Sequence, residues 1–159
     1  MSLQKFKSPE ELAVIRAEIG ARGGKLVFTN GVFDLLHVGH VRYLQHARSL
    51  GDALLVAVNG DASVRALKGP TRPINGEHDR AEVIAALECV SYVTIFPTVR
   101  VTDLIATIRP QAYAKGGDYT IAGLNPEERA ALEAAGSEIH ILTLVPGKST
   151  TAIIEKWKS

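Results

Sequence analysis

The sequence predicts an α/β fold, with helices on both faces of a five-stranded parallel sheet. Three observations carry this prediction. Short apolar runs alternate with stretches of helical periodicity from one end of the chain to the other. The apolar runs, such as KLVFTN and ALLVAV, are continuous, which is the pattern of strands buried on both faces. The glycines, histidines and charged residues that suggest chemistry come directly after these runs, where parallel sheets place their ligands.

Each element has its own justification. SPEELAVIRAEIGARGG opens as a helix, with Ser8 as N-cap, Pro9 in the first turn and Glu11 completing a capping box. Gly23 and Gly24 stop it. Lys25 to Asn30 reads as a buried strand. A helix follows over roughly Gly39 to Leu50, with Val41, Leu44 and Ala47 at helical spacing, and Gly51-Asp52 closes it. Ala53 to Val58 is the second strand, after which Asp61 is expected to cap a short helix through Leu67. KGPTRPINGEH, Lys68 to His78, is a long irregular loop of the kind that carries function in compact domains. Asp79 to Glu88 is helical and Tyr92 to Phe96 is the third strand. Thr102 to Ile108 is helical and is ended by Pro110. Ala112 to Lys115 is a short fourth strand running into GGDY. Pro126 to Ala135 is a helix, Glu138 to Leu144 the fifth strand, and Thr150 to Lys158 a last amphipathic helix with Ala152, Ile153 and Trp157 on one face. With no repeat, low-complexity tract or linker, residues 1–159 read as one domain, a Rossmann-like three-layer sandwich.

Composition narrows the function. A net charge of +1 over 159 residues gives no global field for nucleic acid or an anionic membrane, so an anionic ligand must be held by local groups. The single cysteine, Cys89 in AALECV, excludes an internal disulfide framework and a multi-cysteine zinc site, and is expected to be packing. No apolar run reaches transmembrane length and no signal peptide is visible, so a cytoplasmic location is the expectation.

The stretch GVFDLLHVGHVRYLQHA holds the densest chemistry. His37 and His40 flank Gly39 where a strand hands over to a helix. A helix start offers unpaired N–H groups and partial positive charge, which suit phosphate. Gly39 would let a ligand approach the backbone. Side chains at i and i+3 share a helix face, so both imidazoles can address one group. The bland readings are a solvated or capping histidine and a zinc pair; no HExxH or cysteine spacing supports the zinc. PGKSTT resembles the end of a phosphate-binding P-loop, but position 142 is Leu142, so GxxxxGK[ST] is not met. GARGGK does not spell GxGxxG and precedes a strand. GKSTT nevertheless opens a helix, and Ser149 and Thr150 with the following N–H groups make a second anion-binding end, unless they are plain N-caps.

TNGVFDLLHVGHVRYL resembles the HxGH signature of the nucleotidyltransferase superfamily of cytidylyltransferases and adenylyltransferases. STT after the fifth strand resembles that superfamily's ISTT signature, with Lys148 in place of Ile. VAVNGDASVRALKGPTRPIN, Arg80, AKGGDY and GKSTTAII are similar to the adenylyltransferase domain of ADP-heptose synthesis, over about Lys25 to Trp157. In many organisms that domain is fused to a sugar kinase; this chain is expected to be the stand-alone enzyme. The resemblance implies transfer of an adenylyl group from ATP to D-glycero-β-D-manno-heptose 1-phosphate, releasing pyrophosphate, with Mg²⁺ as cofactor. The product would serve lipopolysaccharide or other surface glycans. The partners implied are ATP and a sugar 1-phosphate, with no nucleic acid, no membrane and often a homodimer.

The resemblance also implies roles for residues. His37 and His40 would contact the ATP phosphates and the transition state, and Lys68 would neutralise phosphate charge. The backbone of Thr29 to Asp34 would hold the α-phosphate and the sugar phosphate region, with Thr29, Asn30, Gly31, Phe33, Asp34, Gly39 and Asn59 as nucleotide-binding candidates and Ser149 and Thr150 on the β- and γ-phosphates. Asp61, Arg72, Arg80, Lys115, Gly116, Gly117 and Asp118 are candidates for the sugar phosphate side. The metal ligands are not readable. LTLVPGKSTT lacks the arginine that several superfamily members carry shortly before ISTT, and FPTVRVTDL lacks the acidic-Thr-Pro turn of the subfamily. A cytidylyltransferase of glycerol 3-phosphate type and a non-catalytic nucleotide-binding module are the alternatives. A pantetheine-phosphate adenylyltransferase fits KGGDY and NGDASV less well.

Overall fold

The computed structural model describes residues 2–117, 120–144 and 147–159. Among these, the helices are α1 (Pro9–Ala21), α2 (Val38–Ser49), α3 (Asp61–Lys68), α4 (Glu77–Ala85), α5 (Thr102–Ile108), α6 (Pro126–Ala135) and α7 (Thr150–Lys158). The strands are β1 (Leu26–Gly31), β2 (Ala53–Asn59), β3 (Tyr92–Phe96), β4 (Ala112–Gly116) and β5 (Glu138–Leu142). They form one sheet, all parallel, in the order β3-β2-β1-β4-β5. This is the Rossmann-like arrangement expected, and the order reverses between β1 and β4.

The continuous apolar runs are explained by the two faces. In β2, Leu54, Val56 and Val58 enter the core under α2 and α4, with Leu44, Ala81 and Ile84. Ala53, Leu55 and Ala57 enter the opposite core with Leu12 and Ile19 of α1, Ile105 and Ile108 of α5 and Leu132 of α6. Alternate residues of a strand point to opposite faces, and here both faces are dry. Fully burying one such aliphatic side chain is worth roughly 1.5–3 kcal/mol. Cys89 packs half-buried against the first core, and burial pushes its thiol up, away from thiolate reactivity.

Ser8 and Glu11 form the expected capping box on α1. Several boundaries differ from expectation. Asp61 does not cap α3: Gly60 is the N-cap, and the Glu77 carboxylate, 16 residues on, accepts from Asp61 N at 2.6 Å. Glu77 therefore belongs to the start of α4, which begins two residues earlier than expected and ends at Ala85. The irregular loop shrinks to 69–76, with Lys68 as the last residue of α3. β5 stops at Leu142 and β4 runs on to Gly116. The apolar face of α7 is not buried: the helix has no buried residue, and Trp157 is 78% exposed.

Candidate active site

β1 and β4 pair through only two positions, Val27 with Ala112 and Phe28 with Tyr113, while β1 continues beside β2 to Gly31. Two tyrosines bridge the seam beyond that point. Tyr43 of α2 donates to Ala114 O at 2.9 Å and so accepts from Thr29 Oγ1 at 2.7 Å. Tyr113 lies with its hydroxyl 2.9 Å from Asn30 Oδ1. Burial pushes the Tyr43 phenol up to about 12, which keeps its proton in place. The sequence pattern alone does not single out either tyrosine, although Tyr43 stands three positions after His40, on the same helix face.

Over the carboxyl ends of β1 and β4 opens a cavity of about 390 Å³. Asn30, Gly31, Val32, Phe33 and Asp34 line it from the turn after β1. His37, Gly39, His40 and Tyr43 line it from the start of α2, and Ser149 and Thr150 from the start of α7. Lys68, Arg72, Lys115 and Lys148 add four basic side chains to its lining, with Gly116 and Leu144 beside them. A chain of net charge +1 thus gathers local positive charge where the two helix N-termini already favour an anion.

The two histidines form a capping box of imidazoles. His37 is the N-cap of α2, and its Nδ1 accepts from Gly39 N at 3.0 Å. His40 Nδ1 accepts in return from His37 N at 3.3 Å. The reciprocal geometry is that of Ser/Thr-x-x-Glu, with two rings in the side-chain positions. Capping and function are therefore not alternatives. With each Nδ1 accepting, a neutral ring carries its proton on Nε2 and keeps that donor for a ligand. The ring centroids are 4.0 Å apart. Burial and then the neighbouring His37 push His40 down to about 4, and burial and Lys148 push His37 down as well. Both rings are neutral N–H donors at pH 7.

Gly39 also serves the packing of the site. A Cβ there would lie 2.7 Å from His37 Cε1 and 2.8 Å from His37 Nδ1, with the Lys148 Cβ at 3.3 Å. The missing side chain makes room for the His37 ring, and Gly39 also lines the cavity. Ser149 caps α7 by accepting from Ala152 N at 3.0 Å, and Thr150 Oγ1 donates to Leu35 O at 2.9 Å, tying α7 to the turn that carries the histidines.

Other expected residues lie elsewhere or are held internally. The Thr29 hydroxyl is engaged with Tyr43 and is off the cavity wall. Asn59 is buried and donates to Ser63 Oγ at 3.2 Å. Arg80 is 2% exposed; it donates to Val32 O at 2.7 Å, Asn75 O at 2.9 Å and Asp61 Oδ1 at 2.8 Å. Asp61 and Arg80 therefore form a clamp behind the cavity. The Asp34 carboxylate accepts from Arg72 Nε at 2.7 Å and from the backbone N–H groups of Ile74 and Asn75. Burial opposes its charge, but the bonds from Asn75, Ile74 and Arg72 prevail and hold its pKa low. Gly117, at φ +130°, donates its N–H to Leu142 O. Asp118 lies outside the described residues.

The cytidylyltransferase-like family profile matches residues 28–156. The chain belongs to the cytidylyltransferase-like family. It is 51% identical to the bifunctional protein HldE of Pelobacter propionicus over 152 residues, which are 96% of this chain and 31% of that protein. It is 49% identical to the bifunctional protein HldE of Geobacter sulfurreducens over the same shares. The chain thus spans about a third of the length of these relatives. Among solved structures, it superimposes on a lipopolysaccharide core biosynthesis protein from Thermoplasma volcanium with a TM-score of 0.62 and 27% identity, over 77% of this chain and 98% of the other. Among the described residues no helix is long and apolar enough to cross a membrane.

Proposed function

We propose that the chain transfers an adenylyl group from ATP to D-glycero-β-D-manno-heptose 1-phosphate, giving ADP-heptose and pyrophosphate. The observation that carries transferase chemistry is the pair of neutral imidazoles, each spending Nδ1 on the helix cap and keeping Nε2–H for the basic cavity. The sugar phosphate is already a nucleophile, so no side chain need form a covalent bond. Its oxygen attacks the α-phosphorus in line, and the P–O bond to pyrophosphate breaks. Positioning and charge stabilisation supply the rate. His37 and His40 donate to the phosphoryl oxygens as charge develops on them. Lys68, Arg72 and Lys148 neutralise the triphosphate, while Ser149 and Thr150 present the α7 terminus to its distal end. Lys115 and Gly116, across the seam, face the sugar phosphate. The choice of heptose rests on the sequence resemblance, and the likeness to the HldE proteins and to the lipopolysaccharide core biosynthesis protein supports it.

Magnesium fits as an ion carried on the nucleotide. Among the described residues no group of three or more His, Cys, Asp or Glu side chains could hold a metal, and the Asp34 carboxylate is engaged with Arg72 and backbone. Mg²⁺ is commonly bound through substrate phosphates and water. It would supply further neutralisation of the triphosphate, and the basic side chains would receive the complex.

The test is pyrophosphate release with Mg²⁺, crossing ATP, CTP, GTP and UTP with the β- and α-anomers of the heptose phosphate and with glycerol 3-phosphate. Signal confined to ATP with the β-anomer supports the reading. Signal with CTP and glycerol 3-phosphate would replace the substrates, and ATP binding without turnover would replace catalysis by simple nucleotide binding.

A further inference from the structure

We propose that the Phe33 side chain is a positioning residue for His40, held in place by a turn that is clamped on both sides. The inference rests on the reading of His40 as a phosphoryl donor, but it concerns a residue whose ring has no bond to offer a phosphate. Phe33 has φ +49°, the left-handed region that a bulky side chain rarely adopts. Such a conformation persists only where the surroundings over-determine it, and it then points to function. The surroundings here do so. On one side, the Val32 carbonyl accepts from the buried Arg80 guanidinium, which Asp61 and Asn75 O fix in turn. On the other, the Asp34 carboxylate is bound by Arg72, Ile74 N and Asn75 N, and its carbonyl accepts from Asn75 Nδ2 at 3.0 Å.

The clamped turn places the Phe33 ring between two groups. On one flank is the bare Cα of Gly31, where a Cβ would lie 2.9 Å from Phe33 Cε2 and 3.0 Å from Cζ. On the other is the His40 imidazole, with ring centroids 5.6 Å apart and the planes at 63°. Phe33 is 8% exposed, so this ring covers one side of His40 from water. Its other neighbour is the His37 ring at 4.0 Å. Packed on both sides, His40 can keep its Nε2–H aimed without reorganising when a phosphate arrives. This also gives a purpose to Arg80 and Asp61, which hold the turn and do not line the cavity.

The test is the His40 titration, followed by imidazole NMR in the ligand-free protein. The charged and titratable groups that line the cavity with the ring, His37, Tyr43, Asp34, Lys68, Arg72, Lys115 and Lys148, are left intact. Phe33→Leu keeps apolar volume but uncovers the ring. The His40 pKa, about 4 in the parent, should rise by about one unit or more. The kcat should fall about tenfold or more with the KM for ATP little changed. Gly31→Ala, which displaces the ring from its other flank, should move His40 in the same direction and decides the matter if Phe33→Leu does not fold. A folded variant of either kind with unshifted His40 titration and parental kcat overturns the proposal. The NMR readout needs no turnover, so a parent chain inactive on every substrate pair would overturn the transferase reading while the titration still judges Phe33.

Discussion

At the scale of single residues, the proposed chemistry depends on two ring nitrogens doing different work. Each Nδ1 is tied to backbone, and each Nε2 would donate to the phosphates in the proposed reaction. Gly39 is what allows this packing, because the His37 ring occupies the space a Cβ would need. Gly39→Ala should leave the fold intact, since alanine suits a helix, yet displace His37. Loss of up to about 10²-fold in kcat is expected from such a misplacement, read by steady-state kinetics beside an unchanged circular dichroism spectrum. Parental kcat would show that the position of the His37 ring does not matter. The pH dependence of stability follows from His40. Its folded pKa is depressed, so the unfolded chain takes up the proton first as pH falls. Its contribution to stability is full above about 6.5, is lost as pH drops toward about 4, and does not change further below that. Urea unfolding at pH 7.5 and 4.5 should show a smaller loss in His40→Gln than in the parent; equal losses would contradict a depressed His40.

At the scale of elements, the site is assembled by bonds between segments far apart in sequence. The loop 69–76 is held to the turn after β1 by Asp34, whose side chain is wholly buried, while that of Arg72 is 16% exposed. Asp34→Ala should therefore cost about 3 kcal/mol, the lower end of the range for breaking a buried pair, because Arg72 can reach the wet cavity. Denaturant unfolding measures this, and a loss below about 1 kcal/mol would mean that the pair behaves as a surface contact. The elements themselves were largely legible in the sequence. β2 is apolar from Ala53 to Val58, toward both cores, and the Ser8–Glu11 box is local. The bonds that assemble the site were not legible. Arg80 has the composition of a phosphate ligand, and only the fold reveals that Val32 O, 48 residues away, has claimed it. The start of α4 is hidden in the sequence for the same reason, since the Glu77 side chain bonds the first turn of a different helix. Tyr43 finds its acceptor 71 residues away, and Thr150 finds Leu35 at 115.

At the scale of the whole molecule, the strand order gathers these pieces. Only between β1 and β4 do connections leave in opposite directions, and the carboxyl ends of those strands deliver the turn after β1, Lys115 and Gly116 to one opening. The helices that start there bring two N-termini to the same place. The HxGH and STT segments, over 100 residues apart, resemble nucleotide-binding signatures separately, and the fold brings them side by side to line one cavity. The proposed reaction requires His40 to stabilise charge in the transition state more than it binds ATP. The measurement that tests it is kcat for pyrophosphate release together with the Kd for ATP, in the parent and in His40→Ala. A fall in kcat worth about 2.7–4 kcal/mol, roughly 10²–10³-fold, with Kd nearly unchanged is the predicted result. Small and equal losses in both would contradict it and leave His40 as a helix cap alone.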